Sequence, residues 1–273
     1  MTAAEPLLPA PRPDEQQSGP AMPLTPSAPG RLIVLTATGL LLAGCATHGA
    51  APGPLAAVTA AAVPVRPALT AQLSGTPSAA LPGLGPKTTA AIPADAQQVV
   101  LATGQDKDSS STTVRLYERT GTTWTPAAPT WQAHNARNGW TNDHHDSDLR
   151  SPIGVFTLTD AGGLLADPGS KLPYTRSSDF VASGSGFLGE DLRGSFDYVI
   201  AINYNRTPGT SPLDTAKPLG PARGGGIWLH VDHGGPTHGC VSLPADAMVD
   251  LLHRLAPARH PVIVMGDAAS LAA

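Results

Sequence analysis

Apolar and polar positions along the chain fall into three regimes. Residues 32–42 form an unbroken apolar run, residues 46–91 mix Ala, Pro, Gly and Thr with almost no aromatic or charged side chain, and short patterned runs begin only at Gln97. In this last regime Val99-Val100-Leu101-Ala102 predicts a short buried strand, and residues 113–118 alternate as a half-exposed one. Gly121 and Pro126 punctuate the next stretch. Pro152 and Gly154 shape a turn into a strand over Val155 to Leu158. Residues 196–205 read as one long strand with Tyr198, Ile200, Ile202 and Tyr204 on a single face. Ile227, Leu229 and Val231 then alternate with Trp228, His230 and Asp232, which predicts a strand carrying His230 on the face opposite its aliphatic residues. Pro244 suits a first helical position, and Ala247, Met248, Leu251, Leu252 and Leu255 recur at helical spacing. His253 and Arg254 fit the last turn, Pro257 ends it, and residues 261–265 predict a final buried strand.

Composition divides the chain to match. Gly 29 and Pro 29 together exceed a fifth of the 273 residues, so long stretches lie outside regular structure. Residues 46–91 cannot bury enough apolar surface to offset the entropy of ordering them, which predicts a disordered, proline-stiffened tether. The folded domain is expected over 92–270. Charged residues make up 14% with a net charge of −4, and no Lys/Arg run follows the first fifty residues, which argues against a nucleic-acid partner. Residues 1–45 read as an N-terminal extension and signal peptide. Glu5, Asp14 and Glu15 are out of place in a leader, whereas a start at Met22 places Arg31 just before the apolar run; Met1 and Met22 both remain possible starts. That run is of signal-peptide length and short for a bilayer span. It ends in Leu42-Ala43-Gly44-Cys45, which resembles a bacterial lipobox. The resemblance implies a diacylglycerol thioether on Cys45 and a chain exported to the outer face of the cytoplasmic membrane, facing the cell wall. With two cysteines in all, lipidation of Cys45 leaves Cys240 unpaired; a Cys45–Cys240 disulfide is the alternative.

The chemistry concentrates in residues 227–243, Ile-Trp-Leu-His-Val-Asp-His-Gly-Gly-Pro-Thr-His-Gly-Cys-Val-Ser-Leu, with three histidines and a cysteine inside eleven residues. A cysteine in a glycine turn combines a nucleophile with backbone N–H groups able to meet an oxyanion. A free thiol is only about 3% thiolate at pH 7, and a neighbouring imidazole that takes its proton is expected to bring its pKa to roughly 6 or below. His230 is the favoured base because it sits on a strand; His233, in the glycine loop, is the alternative, which leaves Asp232 and whichever histidine is not used at the rim. Competing readings are a small buried thiol, solvated loop histidines, and a zinc site of His230, His233, His238 and Cys240 whose spacing matches no common zinc pattern. His144 and His145, with Asp143, Asp146 and Asp148, read as a solvated polar loop. Residues 206–226 read as a lid or binding loop, in which Arg223 is more simply solvated than substrate-bound.

Ile-Trp-Leu-His230 followed by Thr-His-Gly-Cys240-Val-Ser-Leu resembles the active-site motif of the YkuD-type L,D-transpeptidases. Asp148 to Leu158 and the Tyr204-Asn205 pair resemble earlier parts of the same family pattern, so the likeness spans roughly 97–266. It implies a mainly β fold with one main helix, a mixed, mostly antiparallel β-sandwich-like domain with the site at its rim. It also implies peptidoglycan stem peptides as substrate, no cofactor and no metal. Cys240 would be the nucleophile, His230 the base, and the backbone of His238, Gly239 and Cys240 the oxyanion donors, with Asn205 near the peptide. The implied reaction attacks the bond between the L-centre of the third-position diamino acid and D-Ala, and passes the acyl group to a side-chain amine in a 3→3 cross-link. Hydrolysis of the same thioester (an L,D-carboxypeptidase) and a peptidoglycan-binding lipoprotein without turnover are the alternatives. Two features depart from the family pattern. Only seven residues separate His230 from His238, and Ser242 stands where Arg or Asn is frequent.

Overall fold

The computed structural model describes residues 76–273, and the leader, Cys45 and most of the expected tether lie outside the described residues. Within them the chain is mainly β. Strands β1 (Gln98–Gly104), β2 (Ser111–Thr120), β3 (Thr123–Pro126) and β4 (Trp131–His134) come first, after a short helix α1 (Pro86–Ala91). The small pair β5 (Trp140–Thr141) and β6 (Ser151–Pro152) follows, then β7 (Gly154–Gly163), β8 (Tyr174–Arg176) and β9 (Val199–Ile202). Strands β10 (Trp228–Val231) and β11 (Val241–Leu243) flank the cysteine turn, and helix α2 (Ala245–Arg254), strand β12 (Pro261–Asp267) and helix α3 (Ala268–Leu271) complete the chain.

Neighbouring strands run β1-β12-β7-β9-β10-β11-β4-β2, and β2 pairs again with β1. The sheet therefore closes on itself as an eight-strand, barrel-like ring with β3 and β8 as outriggers. The expected sandwich has open edges; here the 98–104 strand is long enough to pair with β12 on one side and β2 on the other, which removes them. Pairing is mixed. β1–β12 and β10–β11 are parallel, whereas β2–β4, β7–β9 and β9–β10 are antiparallel.

Burial follows from this closure. Val100, Ala102, Val114, Leu116, Leu229 and Leu243 face an inner core, to which α2 adds Ala247, Met248, Leu251 and Leu252. The α2 stripe is the one its spacing predicts, although Pro244 stands one residue before the helix as its N-cap. On the other face Val99, Leu101, Val262 and Val264 pack with Leu81, Tyr117, Trp124 and Leu271. β1 and β12 thus read as unbroken apolar runs because both of their faces are covered.

Two expectations need correction. The tether does not extend to residue 91: Ser78 forms a β-bridge with Trp124, Leu81 is 4% exposed, and Gly85 N–H donates to Leu271 O at 2.9 Å. A few apolar residues suffice there because the outer face of β1 and β12 supplies the rest of the core. The long strand over 196–205 shrinks to β9, all four residues of which are buried. A turn from Gly194 to Asp197 ends before it, and Asn205 adopts a left-handed conformation (φ 45°) just beyond it. The one-face alternation fails because β9 lies between β7 and β10 with cover on both sides.

Candidate active site

β10 delivers His230 and β11 begins directly after Cys240, and the two strands pair in parallel with Leu229 opposite Val241. The connecting turn is held from outside. Thr237 forms a bridge with Ala136, its N–H donates to Asn135 O at 3.0 Å, and its Oγ1 donates to Cys240 O at 2.7 Å. Gly239 approaches its surroundings closely: a Cβ there would come within 2.9 Å of Ile227 Cδ1. Among the described residues no loop or turn carbonyl takes the N–H of His238, Gly239 or Cys240. Those donors are free for a developing oxyanion.

Cys240 is a free, half-buried thiol. Its sulfur accepts from Trp228 N–H at 3.4 Å and donates to Gly226 O at 3.6 Å. Burial pushes the thiol up to about 11, with the Trp228 N–H opposing it only in part. His230 is buried beside the same cavity, and burial drives its imidazole down to about 4. Its Nδ1 lies 2.9 Å from Val231 O. A carbonyl can only accept, so Nδ1 carries the proton and Nε2 keeps a lone pair. Burial therefore works against both charges of the expected thiolate–imidazolium pair, raising the thiol and lowering the imidazole.

A cavity of about 330 Å³ holds both groups, walled by Ser195, Phe196, Trp228, His233 and His238. Phe196 sets its ring edge-on to His230 at 5.4 Å, and the His233 ring stacks parallel to His230 at 5.8 Å. His233 is not at the rim. Its side chain is 6% exposed and its Nδ1 lies 3.2 Å from Glu190 Oε1, out of line for a straight hydrogen bond. Asp232 is likewise drawn inward, accepting from Ser242 Oγ at 2.6 Å and meeting His134 Nδ1 at 2.8 Å. Burial works against the Asp232 charge, but these hydrogen bonds outweigh it and hold the carboxyl at about 2. The same contact raises His134. Ser242 thus does structural work in this network, tying β11 to the end of β10.

Other expected residues are placed differently. Asn205 donates through Nδ2 to Gly220 O and Gly224 O, at 3.0 and 2.6 Å, and accepts Leu219 N–H at 2.7 Å. Its amide is spent on the 206–226 loop, which its left-handed backbone turns back on itself, rather than on a peptide. Arg223 pairs with Asp143, whose carboxylate raises the guanidinium further. The 206–226 loop is anchored by a buried Arg206–Asp160 pair at 3.0 Å and walls a second cavity of about 550 Å³ that shares Gly226 and Trp228 with the first. His144 is not solvated. It is 5% exposed, and with Gly239 and Cys240 it lines a third cavity of about 230 Å³. Among the described residues no group of three or more His, Cys, Asp or Glu side chains is arranged to hold a metal ion. His144, Glu190 and Phe196 are not legible as site residues in the sequence because each arrives on a loop, where side-chain direction has no period to betray it.

No protein-family model matches the chain, and no curated protein does. Among solved structures it is similar to the helical cell shape determining protein Pgp2 from Campylobacter jejuni and to a point mutant of that protein, at 15% identity for both. The TM-scores are 0.34 and 0.35, and the matches cover 63% and 64% of this chain. They cover 47% of the other chains, so this chain spans about half the length of the proteins it matches.

Proposed function

We propose that the chain is a cysteine acyltransferase of the L,D-transpeptidase type that acts on peptidoglycan stem peptides. The observation that carries this reading is the joint placement of Cys240, a His230 whose Nε2 is left basic, and unused turn N–H groups around one cavity. The substrate comes from the motif resemblance, and the shared cavity supports the chemistry. As Sγ approaches the carbonyl of the third-position diamino acid, its proton passes to His230 Nε2 while the C–S bond forms. The turn N–H groups take the charge that develops on the carbonyl oxygen, each contributing about 10²–10³ in rate. Collapse breaks the C–N bond, the imidazolium protonates the departing D-Ala amine, and a thioester remains. An amine of a second stem then resolves the thioester into a 3→3 cross-link.

Export and a lipid on Cys45 complete the proposal, holding the domain on the outer face of the cytoplasmic membrane beside its substrate. The reaction is tested by mixing the protein with purified disaccharide tetrapeptide and following D-Ala and cross-linked dimer. Cys240→Ala should abolish D-Ala release, and His230→Gln should slow it by about 10²–10⁴. D-Ala without dimer would make the protein a carboxypeptidase, with water as acceptor. Undiminished release by Cys240→Ala would reject the nucleophile altogether.

A further inference from the structure

Resolution of the thioester by an amine calls for a base in reach of the incoming nitrogen. An alkyl amine is an ammonium at neutral pH and attacks only after losing a proton. His230 serves the first cavity. The third cavity, which shares Gly226, His238 and Cys240 with the first, contains another imidazole: His144 and Gly239 stand in its wall with Asp146, Ser147 and Gly224.

The surroundings of His144 are built around its ring. Asp148 Oδ1 lies 3.1 Å from Nδ1, out of line for a straight bond in the free protein. The same carboxylate is fixed by the N–H groups of His145 and Arg150, at 2.9 and 2.8 Å. Ser147 and Leu149, the residues on either side of Asp148, both adopt positive φ (63° and 56°), a conformation non-glycine residues rarely take. Tyr204 packs edge-on to the ring at 5.2 Å. Nδ1 is sealed from solvent, whereas Nε2 faces Gly224 in the cavity wall, where a Cβ would come within 2.8 Å of it. Asp146 stands at the same cavity with its side chain 61% exposed, 4.0 Å from Lys217 Nζ.

We propose that His144, oriented by Asp148, is the base for the acceptor half of the reaction, and that the acceptor is a primary amine. The inference rests on Cys240 forming a thioester. His144 Nε2 takes one proton from the incoming ammonium and releases it to water, then takes a second from the nitrogen as it bonds to the thioester carbonyl carbon. The C–S bond breaks, the sulfur leaves with the electron pair, and the imidazolium returns the proton to it.

The test uses the full chain acylated with stem tetrapeptide, with intact mass recorded after rapid quenching, so that formation and decay of the acyl-enzyme are read separately. His144→Gln should acylate at the wild-type rate and lose its acyl group to an alkyl amine about 10²–10⁴ more slowly. The defect should shrink with methoxyamine, which arrives neutral at pH 7. On the unaltered protein, decay to the alkyl amine should be slower in heavy water than in light. Wild-type decay in His144→Gln, an equal defect with both amines, or equal rates in the two waters overturns the proposal. Absence of any acyl-enzyme on wild type instead removes the thioester itself, and with it the function proposed above.

Discussion

Cys240 keeps its proton because burial disfavours the thiolate, which the Trp228 N–H stabilises only in part. Its reactivity toward a small alkylating reagent should therefore track the thiolate fraction of a thiol near 11. Iodoacetamide labelling is expected to rise about tenfold per pH unit from roughly pH 6 to 9, without a plateau. A plateau beginning near neutrality would mean that the thiolate–imidazolium pair stands ready after all. His230, held near 4 by burial, stays neutral across the same range. Acylation should accordingly lose little between pH 8 and about 5 from protonation of this base, because its lone pair disappears only below its folded pKa. Gly239 is the close-packed glycine beside Cys240. In Gly239→Ala the added methyl meets Ile227 Cδ1, and the expected result is about 1–3 kcal/mol of lost stability together with slower acylation, measured by denaturant melts and burst kinetics.

Asp232 joins three elements: it follows β10, takes the Ser242 hydroxyl from β11 and meets His134 at the end of β4. Its folded pKa lies below that of an unfolded aspartate, so its contribution is present above about pH 4 and is lost as pH falls through about 2. His134 has the opposite sign. Raised in the fold, it stabilises below about pH 6.5, and that part fades as pH climbs through its folded value. Asp232→Asn should lower the melting temperature and flatten its dependence on pH on both limbs; an unchanged acid limb would show that the carboxylate does not carry the link. Asp160→Asn should cost more, roughly 3–5 kcal/mol, because it leaves the Arg206 guanidinium buried without its partner. Strands β1 and β12 and the single-stripe helix α2 are legible from periodicity alone, whereas Cys240 and His230 stand out as candidates by residue type, in a glycine turn and at a strand end. β9 reads too long in the sequence because its flanking Tyr198 and Tyr204 continue an alternation that the Asn205 turn cuts off. His144 and Glu190 are illegible for another reason: partners such as Cys240 and His233 are brought to them by closure of the ring, and no spacing in the chain records that.

Across the described residues, ring closure leaves an outer face on β1 and β12 that draws residues 76–91 into the folded unit. Leu81 and Leu84 help cover the outer face of β1 and β12, so a chain beginning at residue 92 loses that cover. Against a chain beginning at 76 it should melt earlier by the equivalent of about 1.5–3 kcal/mol, the burial energy of one leucine, with its Cys240 chemistry retained. Equal stability of the two would mean that residues 76–91 do not pack as described. The central claim is that Cys240 is an accessible acyl-accepting nucleophile, and a carbapenem probes it without the need for a second substrate. Intact mass after incubation should show one covalent adduct on the wild-type protein and none on Cys240→Ala. An unmodified wild-type mass, or an adduct that survives the substitution, would contradict the assignment of this cavity as an acyl-transfer site.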